Sequence, residues 1–101
     1  MSESANDWNP GAYARFRGLR LRPAVNLLAQ VGALPSGDVV DLGCGDGAVA
    51  AVLRARFLDR ALIGVDNSPA MLARATGYDQ LLTADVSEWQ PAHPPALIFS
   101  N

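Results

Sequence analysis

Four aspartates, Asp41, Asp46, Asp66 and Asp85, fall at or just beyond the ends of apolar runs, and no Lys or Arg accompanies them there. Three glycines, Gly43, Gly45 and Gly47, alternate with Cys44 and Asp46 directly after the first of these runs. Glycines in such a turn reach positive φ and let a ligand lie against the backbone with no Cβ in the way. An acid at the right distance beyond that turn can accept bonds from both hydroxyls of a ribose, and Asp66 lies 23 residues beyond Gly43. Together these residues are equipment for holding a nucleoside. The surplus of carboxylates selects its charge: a pyrophosphate would be repelled, whereas a ligand carrying ammonium and sulfonium groups would be attracted.

The elements that must position these residues follow from the hydrophobic pattern. Val39–Leu42 reads as a strand running into the glycine turn, and Leu62–Val65 as a second strand ending at Asp66. Between them Val49, Val52, Leu53 and Phe57 mark the inner face of a helix, with Arg54 and Asp59 on its other side. That helix is expected to begin near Ala48 and to offer its first N–H groups to an anionic end of the ligand. Ser68-Pro69 is a cap-then-proline helix start, with Gly77 as its stop. Gln80–Thr83 forms a third strand leading to Asp85, and Ala96–Ser100 a fourth. Strands alternating with helices imply right-handed crossovers and a parallel α/β sheet. Upstream, residues 1–11 read as an irregular arm and a helical stretch starts near Ala12. Pro23 can open a further helix, with Ala24, Leu27, Leu28 and Val31 as its buried stripe and Gly32 to Gly37 ending it.

In this frame S-adenosylmethionine (SAM) is the expected cofactor. The helix N–H groups near Ala48 would face its carboxylate, Asp41 its ammonium and Asp66 its ribose. Asp85, with Val86 beside it, would take the adenine amino group, and Met71 would pack on the adenine ring. Gly43-x-Gly45-x-x-Ala48 also satisfies a loose dinucleotide fingerprint, so an NAD-binding oxidoreductase stands as the weaker alternative.

Composition bounds the rest. The chain has 101 residues, half of them hydrophobic, and a net charge of −2, which fits one domain, 1–101, with 1–22 as an N-terminal arm and helix. All eight positive charges are Arg, and a chain without Lys has no Walker-type phosphate loop. Residues 1–23 carry +2 and the remainder −4, so nothing points to nucleic acid. No apolar run approaches the roughly 18 residues of a membrane span, the first residues are polar and acidic, and a lone Cys forms no internal disulfide. A cytoplasmic setting is expected. Cys44 has no adjacent base to activate it. The single His, His93, lies in a proline-rich loop without partners for a metal. Trp8, Tyr13 and Phe16 suit pinning of the arm better than a cofactor lid, and Met71 and Trp89 serve equally as core or as ligand contacts.

Val40-Asp41-Leu42-Gly43-Cys44-Gly45-Asp46-Gly47 and Ile63-Gly64-Val65-Asp66-Asn67-Ser68-Pro69-Ala70-Met71-Leu72 resemble the first two motifs of class I SAM-dependent methyltransferases. Asp46 stands where such loops often have Pro. Asp7-Trp8-Asn9-Pro10, Tyr13, Phe16, Arg20, Arg22-Pro23-Ala24, Ala84-Asp85-Val86, Glu88-Trp89-Gln90-Pro91 and Leu97-Ile98-Phe99-Ser100-Asn101 are similar, within that superfamily, to the trans-aconitate 2-methyltransferase family. The resemblance covers nearly the whole chain. It implies a Rossmann-like sheet of strand order 3-2-1-4, cofactor contacts at Cys44, Asn67 and Asn101 as well, and methyl transfer to a carboxylate of a small polyanionic acid. No metal and no acid–base pair is implied. Tyr13, Arg20 and Arg22 are candidates for holding the acid. The chain stops directly after an apolar strand, so a truncated domain is expected, with an exposed fourth-strand edge that invites self-association. A non-catalytic cofactor-binding remnant, or one half of a multi-chain assembly, is the alternative.

Overall fold

The computed structural model describes residues 21–100. Helix α1 covers 21–28 of these; strand β1 is Val39–Leu42, helix α2 Ala50–Arg56, strand β2 Leu62–Asp66, helix α3 Pro69–Leu72, strand β3 Gln80–Thr83 and strand β4 Leu97–Phe99. The sheet is four-stranded and parallel in the order β3-β2-β1-β4, as expected. Its register places Asp41 beside Gly64 on one side and Phe99 on the other, and Asp66 beside Thr83.

Side-chain alternation along the strands divides the sheet into two faces. Val39, Leu62 and Phe99 face α1 and α2, where Ala24, Leu28, Ala50, Leu53 and Phe57 complete one buried cluster. Val40, Ile63 and Leu82 lie on the other face. There Trp89 and the 90–95 loop close with them around a cavity of about 340 Å³. Helix α3 packs against β2 and β3, with Leu72 buried.

Several boundaries differ from those expected. Residues 21 and 22 are already helical, so α1 runs through Pro23 rather than from it; the fixed φ of proline is itself helical and can continue a helix as well as open one. Leu27 is half exposed, whereas Ala24 and Leu28 are buried, because one helix turn meets the sheet along a single narrow stripe. Helix α3 ends at Leu72, well short of Gly77, and α2 begins at Ala50 instead of near Ala48. Turns occupy 45–49, with the Gly47 N–H donating to Cys44 O at 3.0 Å and the Ala50 N–H to Gly47 O at 3.1 Å.

Arginine guanidinium groups bind the connections together through backbone carbonyls. Arg60 donates to Leu34 O, Pro35 O and Gly37 O. Arg56 donates to Val31 O at 2.6 Å and lies 5.0 Å over the Phe57 ring. Arg54 reaches Gly77 O at 2.8 Å and pairs with Asp79 at 3.0 Å. Asp79 also accepts from the Leu62 N–H at 2.8 Å. That backbone donor first, and the Arg54 guanidinium second, hold its carboxyl below the usual carboxylate range.

Candidate functional site

The glycine turn sits at the carboxyl ends of β1 and β2, where an open parallel sheet accepts ligands. It is tied to β2 because the Gly43 and Cys44 N–H groups both donate to Val65 O, at 2.7 and 3.0 Å. Gly43, Gly45 and Gly47 have φ of 78°, 57° and 87°, a region that L side chains avoid. Their surroundings differ. Among the described residues, a Cβ on Gly43 would meet nothing within 4 Å; one on Gly45 would stand 3.5 Å from Met71 Cε and 3.8 Å from Asp66 Oδ2. One on Gly47 would press on Tyr78 Cε2 at 3.2 Å and Thr76 O at 3.3 Å. Among the described residues, only the first of the three therefore faces open ground.

Asp66, the last residue of β2, is fixed by two backbone donors: Gly45 N–H to Oδ2 and Asn67 N–H to Oδ1, both 2.7 Å. An ionised carboxylate offers about four lone-pair sites, so each oxygen keeps one for a ligand. Ser68 caps α3, its Oγ accepting from Met71 N–H at 3.2 Å, which sets Met71 beside Gly45 and Asp66. Gly43, Gly45, Asp66, Asn67 and Met71 thus form one cluster.

Beneath the loop the chemistry is buried. Asp41 is 3% exposed and accepts from the Tyr78 hydroxyl at 2.6 Å. Burial first, and then the charge of Asp41, push the Tyr78 phenol far above its ordinary range, so it stays protonated and donates. Cys44 is buried under the loop; desolvation, with Asp41 and Asp66 adding to it, raises its thiol to about 11. It is a packing group with little thiolate character. Asp46 is buried within the turn as well.

Asp85 stands apart in an exposed turn, its Oδ1 accepting from Ser87 N–H at 2.9 Å and Ser87 Oγ–H at 2.6 Å. Those bonds hold its carboxyl below the usual range. Val86 beside it is partly exposed. Arg22 is an exposed residue of α1, and Trp89 lines the cavity on the far face of the sheet, not the glycine loop. Tyr13, Arg20 and Asn101 lie outside the described residues.

Tyr78 is the contact that the sequence did not suggest. Gly64, a glycine in the middle of a strand, signals a close approach, but Tyr78 shares it: a Cβ there would meet Cys44 Sγ and Leu81 Cδ2 at 2.9 Å before Tyr78 Cδ1 at 3.1 Å. No cluster of three His, Cys, Asp or Glu able to hold a metal occurs among the described residues. No helix among them is long and apolar enough to cross a membrane.

A parallel sheet of this order, with a positive-φ glycine turn after β1 and an anchored acid closing β2, defines a Rossmann-like α/β domain. The family model described as a methyltransferase domain matches residues 39–99, and this chain belongs to that family. It is also similar to proteins named trans-aconitate 2-methyltransferase. It is 44% identical over 98 residues to one from Klebsiella pneumoniae (strain 342), covering 94% of this chain and 39% of that protein. A second, from Acidovorax ebreus (strain TPSY), is 46% identical over 100 residues, covering 95% and 38%. A third, from Yersinia pestis (strain Pestoides F), is 40% identical over 98 residues, covering 94% and 38%. The chain thus spans less than two fifths of the length of these curated relatives.

Proposed function

We propose that this chain is the SAM-binding part of a methyltransferase acting on a carboxylate of a small polyanionic acid. The observation that carries the cofactor is Asp66, held by Gly45 and Asn67 with a lone pair left on each oxygen, next to the open ground over Gly43. The residues fit the cofactor. Asp66 would accept from its ribose, Met71 would flank its base, and the carboxylates beneath the loop suit its positive charge. Asp85, Val86, Cys44, Asn67 and Asn101 belong to the same proposed set. SAM supplies an electrophilic methyl group when bound. An acceptor carboxylate is already a nucleophile, so the protein's part is alignment and exclusion of water, worth several powers of ten in rate.

The relatives' name supports the acid as acceptor, and Tyr13, Arg20 and Arg22 are the proposed holders of its charge. Residues 1–101 are read as one unit, in a cytoplasmic setting that suits a single reduced, buried thiol. Calorimetry with S-adenosylhomocysteine and with NAD tests the cofactor: binding of the first and not the second is expected, and the reverse would overturn the reading. Transfer of labelled methyl from SAM to a panel of tricarboxylates tests the reaction.

A further inference from the structure

We propose that Ser87 is a positioning residue for base selectivity, turning Asp85 toward the exocyclic amino group of the cofactor's purine. The inference rests on the reading of Asp85 as the acid that takes that group. The fold puts Asp66 and Asp85 within the span of one nucleoside. Strand β3 lies beside β2, and their pairing continues past the strand ends, where the Ala84 N–H donates to Asp66 O at 2.9 Å. Asp85 is the next residue, so it stands at the same end of the sheet as Asp66, one strand over. The glycine turn follows β1, on the opposite side of β2. A ligand with its ribose on Asp66 and its amino-acid end at the turn therefore carries its base toward Asp85.

Ser87 acts on Asp85 twice. Its backbone N–H donates to Oδ1 at 2.9 Å, and its Oγ–H donates to the same oxygen at 2.6 Å. The Asp85 carbonyl accepts from the Glu88 N–H at 3.0 Å and the Trp89 N–H at 2.9 Å. The turn is thus closed by backbone donors, all of which an Ala at this position would keep. The hydroxyl is extra, and what it adds is direction. A carboxylate oxygen has two lone pairs; both on Oδ1 are taken by Ser87, and Oδ2 is the oxygen turned to a ligand. The hydroxyl first, and the N–H second, also hold the carboxyl below the usual carboxylate range, so it stays ionised and only accepts. Such a group matches an amino substituent and repels a carbonyl oxygen. Ser87 touches the acid and not the base; it sets the orientation of the residue that does.

The test compares two ligands by titration calorimetry: S-adenosylhomocysteine and its inosine counterpart, in which a carbonyl replaces the purine amino group and the adjacent ring nitrogen carries a hydrogen. The wild-type chain is expected to prefer the adenine ligand. Ser87 is exposed, and in Ser87→Ala that preference should fall by about three- to tenfold, on the scale of one hydrogen bond. Affinity for the inosine ligand should stay within about twofold, since that ligand gains nothing from the bond. Ser87→Thr keeps the hydroxyl and should restore the preference. An unchanged preference in Ser87→Ala, with or without a uniform loss of affinity, would overturn the proposal. A Ser87→Thr chain no more selective than Ser87→Ala would overturn it too. Should Ser87→Ala fail to fold, Ser87→Cys replaces the hydroxyl with a weak donor and should lose selectivity in the same direction; a Cys chain as selective as wild type would again defeat the idea. A wild-type chain that binds both ligands equally would remove Asp85 from the base, and this inference with it, while leaving the cofactor in place. A chain that binds neither would defeat the cofactor assignment itself.

Discussion

Asp66 is held in place by two backbone donors and still has a lone pair on each oxygen. Replacing it with Asn turns one acceptor into a donor that faces either Gly45 N–H or Asn67 N–H. Affinity for S-adenosylhomocysteine should fall by about 10- to 100-fold, from bonds to a charged group each worth about 1.5–3 kcal/mol, and calorimetry measures it. Cys44 gives a pH prediction with a definite sign. Its thiol is raised from 9.0 to about 11, so the folded state prefers the neutral form. The stability this gives is complete below pH 9 and is lost as pH climbs toward 11. Urea unfolding from pH 8 to 11 should show that decline, and Cys44→Ala should flatten it. Iodoacetamide at pH 8 should label Cys44 only after unfolding. The acids and glycines were legible because their chemistry depends on local order along the chain. Tyr78 was not, since it meets Asp41 across 37 residues of sequence and only the folded sheet brings the two together.

The glycine turn behaves as three separate requirements inside one element. Gly43→Ala carries the backbone cost of a left-handed residue, roughly 1–2 kcal/mol, and its methyl meets none of the described residues within 4 Å. Gly47→Ala adds contacts of 3.2 Å to Tyr78 and 3.3 Å to Thr76 O, a backbone atom that cannot swing aside. Thermal melts should therefore show Gly47→Ala as the more damaging change, while calorimetry should show Gly43→Ala losing cofactor with the fold retained. Strand limits at Val39–Leu42 and Gln80–Thr83 were legible from apolar runs bounded by turn residues. The helix limits were not. A rule for helix stops points to Gly77, but the chain must leave the helix at Leu72 so that Thr76 and Tyr78 can close over Gly47. The start of α2 moved for a related reason, since the turn over 45–49 uses the N–H groups of Gly47 and Ala50 for itself.

At the scale of the molecule, strand order followed from resemblance and parallelism from pattern, and both hold. Among the described residues β4 pairs only with β1, and Ile98 on it is 47% exposed. An open strand edge beside apolar surface favours pairing between chains. Sedimentation at rising concentration should show self-association, and a strictly monomeric species would refute it. The fold is also stitched by cations. Arg54 joins α2 to the approach of β3 through Gly77 and Asp79, and because Asp79 is held below the usual carboxylate range, that contribution is present above pH 4 and lost as acid protonates it. Arg54→Ala should lower the melting temperature at pH 7 and narrow its gap to wild type near pH 3. Arg60 and Arg56 close the 31–37 connection in the same way. Because the sequence holds no Lys and all eight of its formal positive charges are guanidinium groups, amine-directed coupling would find only the α-amino group and tether the protein in one orientation. A dicarbonyl reagent such as phenylglyoxal would instead attack the seams themselves.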